Sequence, residues 1–545
     1  MKIRTLFLFL LVSTICFANN PVKEKLLTVA EKSSFESTSR YQDVINFFKQ
    51  LKKISGGFRI DYIGTSTNGL DIPLIVMGKP LPKSDIDLKK EKRIVVYLQA
   101  NIHAGEVEGK EAVQMLARDI MLKETPDYLK DVILLIAPIF NCDGNEPISK
   151  QNRPHQNGPL NGVGVRHNGQ MLDLNRDAMK VETPEVTGLI TNVLNKWDPA
   201  LTMDIHTTNG SYHTEPTTYT WMVNPNTERN LISYMRDKMM PWVKNDLTIN
   251  YKWQNLFYGE FLDQRYPEKG WVYHAVQPRY IVNYIGLRNR LAILTENYVY
   301  ADFKTRVMGT YYLLKSVLEY AAANKDEIKK MLKEADEKTI ARGLNPSEQD
   351  SVAIEFENKP SSTPEVINAY EVEPYKDANG SERYKPTERI KTVSVPYYVD
   401  YFPKRSVQFP FAYLITQPDK KVIGLLKTHG IKIEKLVKPV TLDVETIKTK
   451  ELKPAQRLNQ GHYTNTIKVD YVNEKKEFAA GTLVVRTAQA LANVAAYLLE
   501  PESDDGLLHW NFWDKYLVPQ WGSAFLSYPV TKVLTKQEIV TVELK

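Results

Sequence analysis

Short apolar runs alternate with segments of helical period over roughly residues 20 to 320. The runs are β-branched and nearly continuous: RIVVYLQA (93–100), VILLIAPIF (132–140), ALTMDIH (200–206) and RLAILTE (290–296). Between them, GKEAVQMLARDIML (109–122) and PEVTGLITNVLNKW (184–197) place apolar residues at three- and four-residue intervals. Strands buried on both faces and separated by amphipathic helices predict an α/β domain around a mixed, mostly parallel sheet. Thr183 is a predicted helix cap, with Pro184 in the first turn.

From Met308 the pattern is helical and runs into the polar stretch AANKDEIKKMLKEADEKTIARGLNPSEQD, read as a solvated helical face or linker. Beyond about residue 350 short apolar pieces such as TVSVPYYVDYF, FPFAYLITQ and TLVVRTAQ are punctuated by Pro, Gly and Asn. Two further segments, VIGLLKTHGIKIEKL and TAQALANVAAYLLEP, contribute helix. The expected organisation is therefore a larger α/β domain over 19–335, a charged helical linker over 336–350, and a smaller strand-rich α+β domain over 351–545. A chain of 545 residues exceeds what one hydrophobic core normally serves.

Residues 1–18, MKIRTLFLFLLVSTICFA, stand apart from this pattern. Two early cations, a short apolar run and a small-residue cleavage site make a secretory signal, and the run is too short to favour a stable membrane span. Ile15 is a poor residue before a lipid-modified Cys16, so a lipoprotein is the lesser expectation. Removal of the signal leaves 69 cations against 65 anions and Cys142 as the one cysteine. That balance, without an arginine-rich stripe, argues against nucleic-acid binding. An exported chain without a possible intrachain disulfide fits a periplasmic or extracellular setting of bacterial type.

Candidate chemistry collects where the buried runs end. His103-Ala-Gly-Glu106 follows the first, Asn141-Cys-Asp-Gly144 the second, His206 ends the third and Glu296 the fourth. Ligands of open α/β sheets bind beyond the carboxyl ends of strands, so these four groups are predicted to share one crevice. His103, Glu106 and His206 can supply three ligands to zinc and leave a fourth position open. With nine histidines in the chain, a His-x-x-Glu spacing arises readily by chance, and it is the strand-end placement that gives it weight. The cluster Asp173-Leu-Asn175-Arg176-Asp177 reads either as a salt-bridged loop or as a carboxylate-binding pair with Asp173 orienting a ligand histidine. Glu296 is either a general base or an ion-pair partner of Arg288 or Arg290.

Taken in order, HAGE, NCDG, LDLNRD, MDIH and LTEN resemble the zinc carboxypeptidase family typified by carboxypeptidase A, over roughly residues 40 to 320. The resemblance implies an eight-stranded mixed sheet flanked by helices and one zinc ion per catalytic domain. It implies His103, Glu106 and His206 as ligands, Glu296 as catalytic glutamate, Asn175 and Arg176 as the carboxylate-gripping pair, and Asp173 behind the first histidine. Arg166 and Arg153 compete for the oxyanion-stabilising role. Tyr280 and Tyr284 are candidates for the substrate-capping tyrosine, with Tyr273 a third. Cys142 stands where the family usually has proline, and the digestive enzymes have no counterpart of the C-terminal part.

The implied activity is removal of C-terminal residues from peptides by metal-activated water. Two rival readings are an envelope amidase or deacylase acting on peptidoglycan-derived or N-acyl amino acids, and a catalytically inactive binding protein on the same scaffold. The expected partner is a peptide or other amide bearing a carboxylate. No nucleic acid and no membrane span are expected, and oligomeric state is left open.

Overall fold

The structure, a computed structural model, describes residues 26–83, 87–208, 210–519, 521–522 and 524–544. The expected signal segment, 1–18, lies outside the described residues. Among the described residues, ten strands occur before residue 300: β1 (Phe58–Thr65), β2 (Asp71–Met77), β3 (Ile94–Ala100), β4 (Val132–Ala137), β5 (Leu201–Thr208), β6 (Thr217–Trp221), β7 (Asn255–Phe257), β8 (Glu260–Phe261), β9 (Trp271–Val272) and β10 (Leu291–Tyr298). Eight of them form one mixed sheet in the order β1-β2-β4-β3-β5-β10-β6-β7. Its centre, β4-β3-β5-β10, is parallel, and every residue of β3, β4 and β5 is buried. That burial explains the nearly continuous apolar sequences of β3 and β4: helices cover both faces, so alternation has no solvent side to serve.

The helix Glu108–Met121 follows β3 directly. It lies so close to the sheet that a Cβ on Gly109 would sit 2.5 Å from Ile205 Cγ2. Thr183 caps the next predicted helix, accepting from the Val186 amide, but that helix widens into a π-helical turn over Leu189–Leu194. Asp302 caps the long helix Phe303–Ala323.

The stretch expected as a linker belongs to a second long helix, Lys325–Leu344. Its lysines face solvent as the sequence suggests, while Ile328, Leu332, Ala335, Thr339 and Gly343 are buried. A Cβ on Gly343 would lie 2.2 Å from the Thr487 carbonyl, so this helix is packed rather than spanning. Among the described residues, no helix is long and apolar enough to cross a membrane.

The remainder is strand-rich, as expected. β11 (Ser351–Pro360) and β14 (Tyr397–Gln408) continue onto β9 and β8 in a four-stranded sheet, and β12 (Glu365–Lys376) pairs with β13 (Glu382–Val395) in a long hairpin. A seven-stranded antiparallel sheet is built from β15 (Ala412–Ile415), β16 (Glu434–Leu436), β17 (Val440–Pro454), β18 (Asn465–Phe478), β19 (Leu483–Arg486), β20 (Val530–Val533) and β21 (Thr541–Glu543). Buried apolar side chains of the α/β part and the C-terminal part form one contiguous core, and the shared sheet at β9-β14 ties them further.

Candidate active site

Strand register brings the chemistry together. In the parallel pair β5-β10, His206 lies opposite Glu296, so the two side chains leave the sheet on one face. Asp204 and Leu294, two residues earlier on each strand, share that face. After β3 the chain turns sharply: Asn101 takes a left-handed conformation (φ 65°), and the amide of Glu106 closes a turn onto the carbonyl of His103. Gly105 keeps this turn tight, because a Cβ there would meet Arg153 Cδ at 2.7 Å and the Gly164 carbonyl at 3.1 Å.

His103 Nδ1 and His206 Nδ1 face each other at 3.1 Å. Glu106 bridges them, with Oε1 3.2 Å from the first and Oε2 3.0 Å from the second. The donors of a tetrahedral zinc ion with bonds of ~2.0–2.1 Å stand about 3.3 Å apart, and two imidazoles with one carboxylate are ligands that zinc accepts. The three residues therefore fit the ion in both chemistry and spacing. Each histidine turns its other nitrogen to a buried carboxylate, His103 Nε2 to Asp173 and His206 Nε2 to Asp204, both at 2.9 Å. Such partners fix tautomer and ring orientation for metal binding. Burial alone would raise the Glu106 carboxyl, but His103 and Arg153 beside it hold it well below the usual range.

His103 and Glu106 line a cavity of about 350 Å³, together with Arg153, Arg166, Asn175, Arg176, Tyr258, Tyr273, His274, Tyr280 and Glu296. Glu296 is partly exposed to it. Burial pushes its carboxyl up to about 8, with the charge of His206 opposing and that of Glu106 adding. Its alternative partners are engaged elsewhere: Arg290 pairs with Asp198 and Asp336, and Arg288 bonds Tyr284, His429 and Asn195.

Arg153 donates to Glu106 Oε1 at 2.7 Å and to the Thr207 carbonyl at 3.3 Å. Arg166 is held through Nε by Asp173 at 2.8 Å, with its Nη1 3.6 Å from Glu106. Both reach the cavity. Asn175 accepts from the Ile281 amide at 2.9 Å and places Nδ2 3.3 Å from His206 Nε2. The Arg176 guanidinium lies 4.3 Å from the centroid of the Tyr280 ring.

Tyr284 is the misplaced candidate. It is fully buried one turn into the helix Ile281–Leu287, with its hydroxyl 2.7 Å from His429 Nδ1, and it does not line the cavity. Tyr273 lines the cavity but is nearly buried. Sequence reasoning also passed over four contributors: Asp204, Tyr258, Glu260 and His274. Only Asp204 left a signal, because a residue two before a ligand on a strand points the same way.

Fold and site together are those of a metal-dependent hydrolase, with His103, Glu106 and His206 placed to hold an ion. Residues 44–226 match the sequence model of the zinc carboxypeptidase family, so this stretch is a zinc carboxypeptidase domain. Curated relatives include carboxypeptidase 2 of Trichophyton tonsurans, 22% identical over 450 residues (78% of this chain, 74% of the relative). Carboxypeptidase 2 of Trichophyton rubrum is 21% identical over 501 residues (88% of this chain, 86% of the relative). Among solved structures, a metallo-carboxypeptidase from Burkholderia cenocepacia superposes with a TM-score of 0.39 at 15% identity, covering 52% of this chain and 70% of its own. Carboxypeptidase A of Helicoverpa armigera gives 0.39 at 16%, covering 56% and 82%.

Proposed function

We propose that this metallocarboxypeptidase removes single C-terminal residues from peptides, with one zinc ion held by His103, Glu106 and His206. The observation that carries the reading is one cavity lined both by the ligands His103 and Glu106 with Glu296 and by the Asn175–Arg176 pair. A bound zinc ion supplies Lewis acidity, lowering the pKa of water and polarising the scissile carbonyl. Glu296, half-buried and in register with His206, takes the proton from the attacking water and returns it to the leaving amine. Burial raises the proton affinity of its carboxyl, which suits a group that must take up a proton and give it back. Arg166 meets the developing oxyanion: its Nε anchors on Asp173, whereas the terminal nitrogens of Arg153 are committed to Glu106 and the Thr207 carbonyl. Arg176 receives the free α-carboxylate of the substrate, with Asn175 beside it. Three arginines lining one cavity favour an anionic substrate end. The enzyme is proposed to be exported, on the signal-like segment at its amino terminus.

Glu296→Gln is the direct test. The variant should retain stoichiometric zinc and lose roughly 10²–10⁴-fold in kcat. Turnover within a few-fold of the parent would remove Glu296 from the mechanism.

A further inference from the structure

The C-terminal part reaches the site at its carboxylate end. Gln460 Oε1 accepts from the backbone amide of Asp173 at 2.8 Å, and His462 pairs with Glu182 at 2.8 Å. The strongest contact is made by Asp505, which is fully buried. Its Oδ2 accepts from the backbone N–H of Arg279 at 2.9 Å and from Nε at 3.1 Å, while the Asp504 carbonyl accepts from Nη2 at 2.8 Å. Arg279 is thereby fixed in both main chain and side chain.

The next two residues carry that constraint into the site. Tyr280 lays its ring against the Arg176 guanidinium, and the Ile281 amide donates to Asn175 Oδ1. A guanidinium stacked on an aromatic face keeps its edge free for a planar, two-point contact with a carboxylate, provided the ring holds its plane. Arg176 is otherwise tethered through Nη1 to the Asn175 carbonyl. Tyr280 is the N-cap of the helix Ile281–Leu287: its carbonyl accepts from the Tyr284 amide at 3.0 Å and its own amide donates to the Gln277 carbonyl at 3.3 Å, while the clamp on Arg279 fixes both main chain and side chain of the residue just before it.

We propose that Asp505 is a positioning residue for recognition of the substrate carboxylate: through Arg279 it sets Tyr280 and Ile281, and with them Arg176 and Asn175. The C-terminal part is on this account a working component of the specificity site. The proposal rests on the reading of Arg176 as the carboxylate anchor.

The test uses the full-length, zinc-loaded enzyme, a blocked short peptide with a free C-terminus, and the amino acid it releases as a product inhibitor. Asp505→Asn and Arg279→Met should each raise KM and the product's Ki by about tenfold, with kcat changed by no more than roughly twofold, the pattern of lost binding rather than lost chemistry. Because the two groups act as one contact, the double variant should be no worse than the more affected single. A change confined to melting temperature, a fall in kcat alone, or additive effects in the double variant would overturn the proposal. If one single variant does not fold, the other supplies the same KM and Ki readings. Arg176→Met separates the two levels. Unchanged KM there removes the anchor reading itself, whereas a raised KM there with parental KM in Asp505→Asn and Arg279→Met overturns the clamp alone.

Discussion

Replacing Asp204 by asparagine changes one polar group away from the cavity lining, yet it should weaken the enzyme's hold on its metal. Asp204 and His206 are both buried, and the carboxylate holds the imidazole Nε2 at 2.9 Å. The other carboxylate oxygen accepts from Gln99 Nε2 at 3.0 Å, and Gln99 cannot readily reverse its amide because Tyr97 donates to its Oε1 at 3.0 Å. An amide at 204 would therefore turn its NH₂ either toward a donor on Gln99 or toward the imidazole N–H. A buried hydrogen bond to a charged group is worth ~1.5–3 kcal/mol. At ~1.4 kcal/mol per decade that is roughly a 10–100-fold loss of metal affinity, in line with the effect of removing such outer partners elsewhere. Competition of the purified protein against a chromophoric zinc chelator measures it. Activity at saturating zinc should largely recover, since no group at the cavity is altered. Parental zinc affinity in a folded Asp204→Asn protein would refute the reasoning.

His206→Ala should lose the metal outright, read by elemental analysis; full zinc content would sink the ligand assignment. His429 supplies a pH test remote from the cavity. Its Nε2 faces the Met179 carbonyl and its Nδ1 the Tyr284 hydroxyl, so it is buried neutral, with burial pushing its pKa down to about 3 against ~6.5 unfolded. The unfolded chain then binds one more proton between those values, so this residue's support is whole above pH ~6.5 and falls away toward pH 3, by on the order of 4 kcal/mol in total. His429→Asn, followed by denaturant unfolding, should flatten that acid limb by one proton; an unchanged slope would contradict the buried neutral state.

Much of the site was legible because continuous apolar runs mark doubly covered parallel strands, and their ends are where polar residues have reason to appear. His103, Glu106, His206 and Glu296 all fell to that argument, and strand register brings them together as expected. Tyr284 failed for a physical reason. Tyr280 and Tyr284 are one helical turn apart, and the sequence does not say that the helix begins at Ile281, leaving Tyr280 at the cavity and turning Tyr284 into the core. Charge patterning likewise read 336–350 as a linker, because in the part of it that is helix only the modest Thr339 and the small Gly343 are buried, the larger Ile328 and Leu332 lying earlier in the helix. The contacts from Gln460 and Asp505 span more than two hundred residues of chain, a separation that no local pattern encodes.

The central claim is that one cavity joins metal-assisted hydrolysis to recognition of a free terminal carboxylate. Mass spectrometry of a peptide panel in which each member is offered as free acid and as C-terminal amide tests this most directly. The free acids should lose one C-terminal residue at a time, in a reaction abolished by chelation and restored by zinc, and the amides should be left intact. Internal cleavage, equal processing of the amides, or activity indifferent to chelation would contradict it.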